Sequence, residues 1–156
     1  MSAKSQFLNK QQARQPAPVP AVSKSQTDIA EFCLRMGQLQ EQMDTWLEAT
    51  GLKVETLTIS VADLLVEGGA FEIDGIVLRY ENRSVKFMPV FLYGQGVTGC
   101  VEVTFHTGGY VTPLGRLFMR SGTVNDWTFT PPGALPRPGQ GFDESTFFGL
   151  ILVLLP

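Results

Sequence analysis

One histidine and two cysteines are all that these 156 residues offer to soft-metal or thiol chemistry. A lone His106 cannot build a multi-histidine metal site, and no HExxH, HxH or CxxC spacing occurs, so neither a metal nor a cofactor is expected. Cys33 and Cys100 are too few and too far apart in sequence for a zinc quartet or a redox pair. Buried free thiols are the favoured reading, with a disulfide between them as the alternative. Phosphate-loop (GxxxxGK[ST]) and nucleophile-elbow (GxSxG) motifs are missing as well.

Long apolar runs are also lacking. The longest, Phe147–Leu155, has nine residues including Gly149, about half of what a membrane-spanning helix needs. The N-terminus has no apolar block of the kind that marks a secretory signal. A cytoplasmic location without a transmembrane segment is therefore expected, with an export signal in the N-terminal arm left open.

Charge is scarce and unevenly spread. Residues 1–25 hold Lys4, Lys10, Arg14 and Lys24 and no acid, which leaves residues 26–156 with eight basic and fifteen acidic side chains, a net of −7. An acidic body without a basic run repels phosphate backbones, which disfavours nucleic acid as a partner. The arm itself is polar and carries Pro16, Pro18 and Pro20, with Phe7 and Leu8 the exception as two isolated large apolar residues. It cannot repay the entropy of ordering and reads as a flexible tail on a single domain of residues 26–156.

What is present is pattern. Ile29, Phe32, Met36, Leu39, Met43 and Trp46 recur at intervals of 3, 4, 3, 4 and 3, which predicts an amphipathic helix. Ser25 or Thr27 would cap it, with Asp28 closing a capping box after Ser25, and Gly51 would end it. The period then changes to 2. Leu57, Ile59 and Val61 alternate with Thr and Ser in a strand over 53–61, a helical turn follows to Val66, and Gly68-Gly69 ends it. Phe71 and Ile73 give way to Ile76, Leu78 and Tyr80, a parity shift that suggests a bulge or tight turn at Asp74-Gly75. Glu81–Ser84 reads as a hairpin connection, and further strands run through Val85–Phe87, Val101–Phe105, Leu117–Met119 and Val124–Phe129. Nothing between them is long enough for a crossover helix. Pro131–Gly141 is a stiff loop, and Phe147–Leu155 closes the chain as helix or strand. The fold class expected is α+β: an antiparallel, strongly twisted sheet of about five to seven strands covered by a long N-terminal amphipathic helix, with a short C-terminal helix as an addition.

Chemistry is harder to find. Gly94, Gly96 and Gly99 match GxGxxG, but Cys100–Phe105 beyond them has a strand pattern where dinucleotide binding needs a helix, so they read as turn or bulge. His106 paired with Glu102 on one face of its strand is the weak catalytic alternative. Arg116 and Arg120 share a strand face and join Arg79 if their hairpins are neighbours. Tyr93, Tyr110 and Trp127 stand beside glycines or polar loop residues, where partly exposed rings serve as partner anchors. The function this favours is an intracellular protein-interaction or adaptor module, a class that includes secretion-associated and toxin-neutralising proteins. It binds another protein through Tyr93, Tyr110 or Trp127 flanked by Arg79 or Arg116. A small-ligand binder and a small enzyme using His106 are the alternatives. Homodimerisation through the 28–48 helix or an exposed sheet edge is a further expectation.

Overall fold

The computed structural model describes Ala3, Gln6 and residues 24–63, 65–66, 68–94, 97–120, 127–133 and 141–155. Most of the expected arm, the side chain of Arg120, the turn at Ser121-Gly122 and residues 134–140 of the stiff loop lie outside these. Helix α1 (Lys24–Trp46) is followed by β1 (Val54–Ala62), β2 (Ala70–Tyr80), β3 (Arg83–Gly94), β4 (Val97–Thr107), β5 (Tyr110–Arg120) and β6 (Trp127–Thr130). Helix α2 (Glu144–Ile151) and one 3-10 turn (Leu152–Leu154) complete the described chain. The six strands form one antiparallel sheet in chain order, a meander, and α1 packs across it: an α+β fold with an open twisted sheet.

The 3,4 spacing does what it predicts. Phe32, Met36, Leu39 and Met43 are buried, with Ile29 and Trp46 packed at the margins of the same core. Each full burial contributes about 1.5–3 kcal/mol, more than the ~1 kcal/mol that exposed Gly37 costs a helix interior. The capping box at Ser25 is not formed: the helix already includes Lys24 and Ser25, and Ser25 is buried within it. The arm's last two residues therefore belong to the domain. At the other end, Ala49 takes the left-handed conformation (φ 68°) before Gly51 (φ 79°), so the helix stops at Trp46, earlier than the glycine alone suggests.

Two local expectations are corrected. Residues 61–66 add no helical turn: Val61 and Ala62 finish β1, and the chain reverses through Asp63, whose carboxylate accepts from Leu65 N. No bulge interrupts β2 at Gly75 in its pairing with β1, which runs in register from Val54↔Leu78 to Ala62↔Ala70. The parity change falls where pairing with β3 begins, at Ile76↔Phe87. Gly75 gives room there for the Met88 side chain, whose Sδ would lie 2.5 Å from an added Cβ and would have to shift.

Bulges appear instead in β3, β4 and β5. Gly99 (φ 120°) makes the one in β4, and its missing side chain lets Phe32 of α1 approach. Within the GxGxxG match, Gly94 ends β3 paired with Val97, Gly99 is the β4 bulge, and strand follows it, while residues 95–96 lie outside the described residues. Gly108-Gly109 forms the β4–β5 turn with both φ values positive, the primed geometry that matches strand twist. Phe147–Leu155 resolves as helix, capped by Asp143, whose carboxylate accepts from Thr146 N at 2.8 Å. At the sheet margins the two edges differ. Among the described residues no strand lies beside the outer edge of β1, while Gly141 bridges Thr128 and Phe142 N donates to Trp127 O on β6.

Candidate functional site

Strand alternation assigns each side chain of β4–β6 to one of two faces. Val101, Val103, Leu117, Met119, Trp127 and Phe129 face the core beneath α1. Their neighbours form two rows across the opposite face. Register places Met88, Glu102, Arg116 and Thr130 directly across from one another in a polar row. Beside it run Phe91, Cys100, Phe118 and Thr128, where Cys100 and Phe118 are buried in a small second cluster with Val90 and Phe91.

A cleft of about 370 Å³ opens at the polar row. Its origin is a strand that stops early: β6 pairs with β5 only from Arg116↔Thr130 to Met119↔Trp127, and the chain then turns away through Pro131-Pro132-Gly133. The stretch of β5 beyond this pairing carries Pro113, which has no N–H to leave unpaired. Leu114 is the extra residue of the β5 bulge, and Gly115 follows at φ 144°.

Charge in the cleft is sparse. Arg116 and Glu102 approach to 3.6 Å with side chains 48% and 35% exposed, too long for a good N–H···O bond and worth less than about 1 kcal/mol. Thr130 is only 5% exposed, yet its hydroxyl has no hydrogen-bond partner among the described residues. Burial pushes the Cys100 thiol up to about 12, with Glu102 adding to the rise against the lowering by Arg116, so this sulfur stays protonated and unreactive. A second hollow of about 310 Å³ lies between α1, β1 and β2. Its polar groups satisfy one another: Thr58 donates to Asp74, and Cys33 donates to the Glu72 carbonyl at 3.9 Å. Both cysteines are free thiols, one beneath α1 and one on the opposite face of the sheet, so the disulfide alternative is not realised.

The expected anchors are dispersed. Trp127 is 5% exposed and sits in the core, 6.2 Å from the Phe32 ring, with the buried Arg35 guanidinium over it at 5.4 Å. It lies on a strand, as expected, but packs under α1 and is therefore not the partly exposed ring expected of an anchor. Tyr110 is 77% exposed at the tip of the β4–β5 hairpin. Six residues of strand, about 20 Å, separate it from Arg116, so the two do not form one anchor. Arg79 lies on β2 and is paired with Glu55, with β3 and β4 between it and Arg116, so the two arginines do not cluster. His106 does not meet Glu102: its Nε2 lies 2.9 Å from Thr104 Oγ1, and burial and then Lys86 lower its pKa. Glu102 faces Arg116 instead. Among the described residues no three His, Cys, Asp or Glu side chains converge to hold a metal, and no helix is long and apolar enough to cross a membrane.

Tyr93 is an internal tie. Its hydroxyl donates to Asp28 Oδ2 at 2.6 Å, Lys24 pairs with the same oxygen at 2.9 Å and stands over the ring, and Asp63 accepts from the backbone N–H groups of Leu92 and Tyr93. Asp28 and Lys24 fasten the start of α1 to β3, and Asp63 fastens the residue after β1 to the same strand. Burial, the bond to Asp28, and the charges of Asp28 and Asp63 push the phenol up to about 12. The native state therefore holds this proton where the unfolded chain has lost it, and stability falls as pH rises from about 10 to about 12. The expected outcome is that Tyr93→Phe removes this alkaline component from the Tm profile while lowering Tm slightly at pH 7. An unchanged alkaline slope in the variant overturns the assignment.

Comparison with known proteins adds no relative: no protein-family model, curated protein or solved structure matches the chain. Thr130, Pro113 and Pro131-Pro132-Gly133 are the site residues that sequence reasoning passed over. The Thr-Pro-Pro-Gly run directly after the Trp127–Phe129 alternation was their only local signal.

Proposed function

We propose that this chain is a protein-interaction module of the adaptor type, which takes a segment of another protein on the outer face of β4, β5 and β6 with Arg116 as anchor. The observation that carries this reading is the juxtaposition, in one cleft, of an arginine whose ion pair is long and a buried threonine hydroxyl without a partner among the described residues. Both are groups whose hydrogen bonding a ligand would complete. The apolar wall of Phe118 and three prolines supplies contact area beside them. Tyr110 is a second contact for a partner that reaches along β5. The cleft volume also falls within the range of small-molecule sites, which keeps a small-ligand binder as the second reading.

Site-specific photo-crosslinking in the native host tests the proposal. A benzophenone side chain at Pro132 should give one dominant protein adduct, lost on Arg116→Ala, while the same group at exposed Asp44 should not. Equal adducts from both positions, or an adduct indifferent to Arg116, would refute it.

A further inference from the structure

Resting on the reading of this cleft as the docking site, we infer that the group it accepts is a single carboxylate, held by the Arg116 guanidinium and the Thr130 hydroxyl. Arg116 and Thr130 are direct cross-strand neighbours on β5 and β6. The guanidinium presents a planar fork of donors, and its contact with Glu102 at 3.6 Å satisfies them poorly. An incoming carboxylate accepts two parallel N–H bonds from that fork, and one of its oxygens also takes the Thr130 proton. Glu102, already partly exposed, turns toward solvent as it is displaced.

Charge selects the carboxylate over other anions. Among the described residues Arg116 is the only cation lining the cleft, and Glu102 is its only anion. Once Glu102 is displaced, a ligand with one negative charge is neutralised, whereas a phosphate dianion leaves an excess charge beside it in a domain that is already acidic. The apolar lining from Phe118, Pro113, Pro131 and Pro132 suits a carboxylate carried on an apolar stem or peptide chain. Two sources offer such a group: a chain terminus and an acidic side chain.

The test is an NMR titration of the full ¹⁵N-labelled chain with four probes. N-acetyl-leucine presents a main-chain carboxylate, N-acetyl-glutamic acid α-amide a side-chain one, N-acetyl-leucinamide no charge, and inorganic phosphate a different anion. One of the carboxylates should move the amides of Gly115, Arg116, Thr130 and Gly133, and the tighter of the two identifies the source. Arg116→Gln should weaken that binding about tenfold and Thr130→Val about threefold. Glu102→Gln removes the internal competitor and should tighten it about threefold. A gain from Glu102→Gln beside a loss from Arg116→Gln cannot come from partial unfolding, which lowers both. Phosphate binding tighter than either carboxylate, the amide matching the acid, or indifference to Arg116→Gln overturns the inference. If Pro132 adducts persist while no carboxylate binds, the docking reading stands and this inference falls. Carboxylate binding without a protein adduct has the reverse meaning.

Discussion

Trp127→Ala is expected to lower unfolding stability by about 3–5 kcal/mol, measured by urea denaturation with an unchanged m-value. The ring is almost fully buried, packs on Phe32 and lies under the guanidinium of Arg35, itself 3% exposed. Removing it opens a cavity beneath α1 and strips the cover from a buried cation. Such a loss is a large fraction of the 5–15 kcal/mol that typically separates folded from unfolded. Tyr110→Ala, at the exposed hairpin tip, should by contrast change stability by less than about 0.5 kcal/mol. Any partner binding lost in the tryptophan variant would thus report unfolding, while a loss in the tyrosine variant would report contact. A Trp127→Ala midpoint within error of the parent would show that β6 is not part of the cooperative core.

Gly115→Ala carries the second large effect, about 3 kcal/mol or more. Two causes coincide. The backbone at φ 144° is one that residues with a side chain rarely adopt, and a Cβ would lie 2.5 Å from the Phe129 ring and 2.6 Å from the Thr130 carbonyl. Because one of those neighbours is backbone, no rotamer change relieves the contact, and β6 must move away from β5. Hydrogen exchange should then quicken at Trp127–Thr130 while the β1–β2 amides keep their relative protection. Uniform protection across the sheet would contradict the close approach. Because Thr130 follows β6, the same variant should also weaken carboxylate binding in the cleft.

Helix α1 was legible because one face does all its packing, so the sequence of buried positions survives as a 3,4 rhythm. The turns were legible where glycine takes conformations that other residues avoid, as at Gly108-Gly109. Trp127 was misread because Asn125 and Asp126 before it resemble a loop, while the informative signal was the alternation of Trp127 and Phe129 with Thr128 and Thr130. Tyr93 is partly exposed, as its place beside Gly94 suggests, but its bond to Asp28, 65 residues away, is one that no local pattern announces. Of the candidate site, Arg116 was named and Glu102 was noted for a different role. Their alignment with Thr130 depends on cross-strand register and on where β6 ends, quantities that tertiary pairing sets and that composition does not encode.

The unequal margins of the sheet limit how it can grow. An added strand needs a free row of N–H and C=O groups, and Gly141 and Phe142 already occupy that position along β6. Among the described residues β1 is the margin of the sheet with no strand beside it, nine residues without proline and with Glu55 as their one charge. Filament formation by edge pairing requires two complementary free edges on every copy, so that each addition exposes the site for the next. Two copies meeting at β1 would each cover the other's β1 edge, giving a twelve-stranded continuous sheet related by a two-fold axis. Edge pairing confined to β1 would therefore stop at two copies, where pairing through two complementary edges would continue.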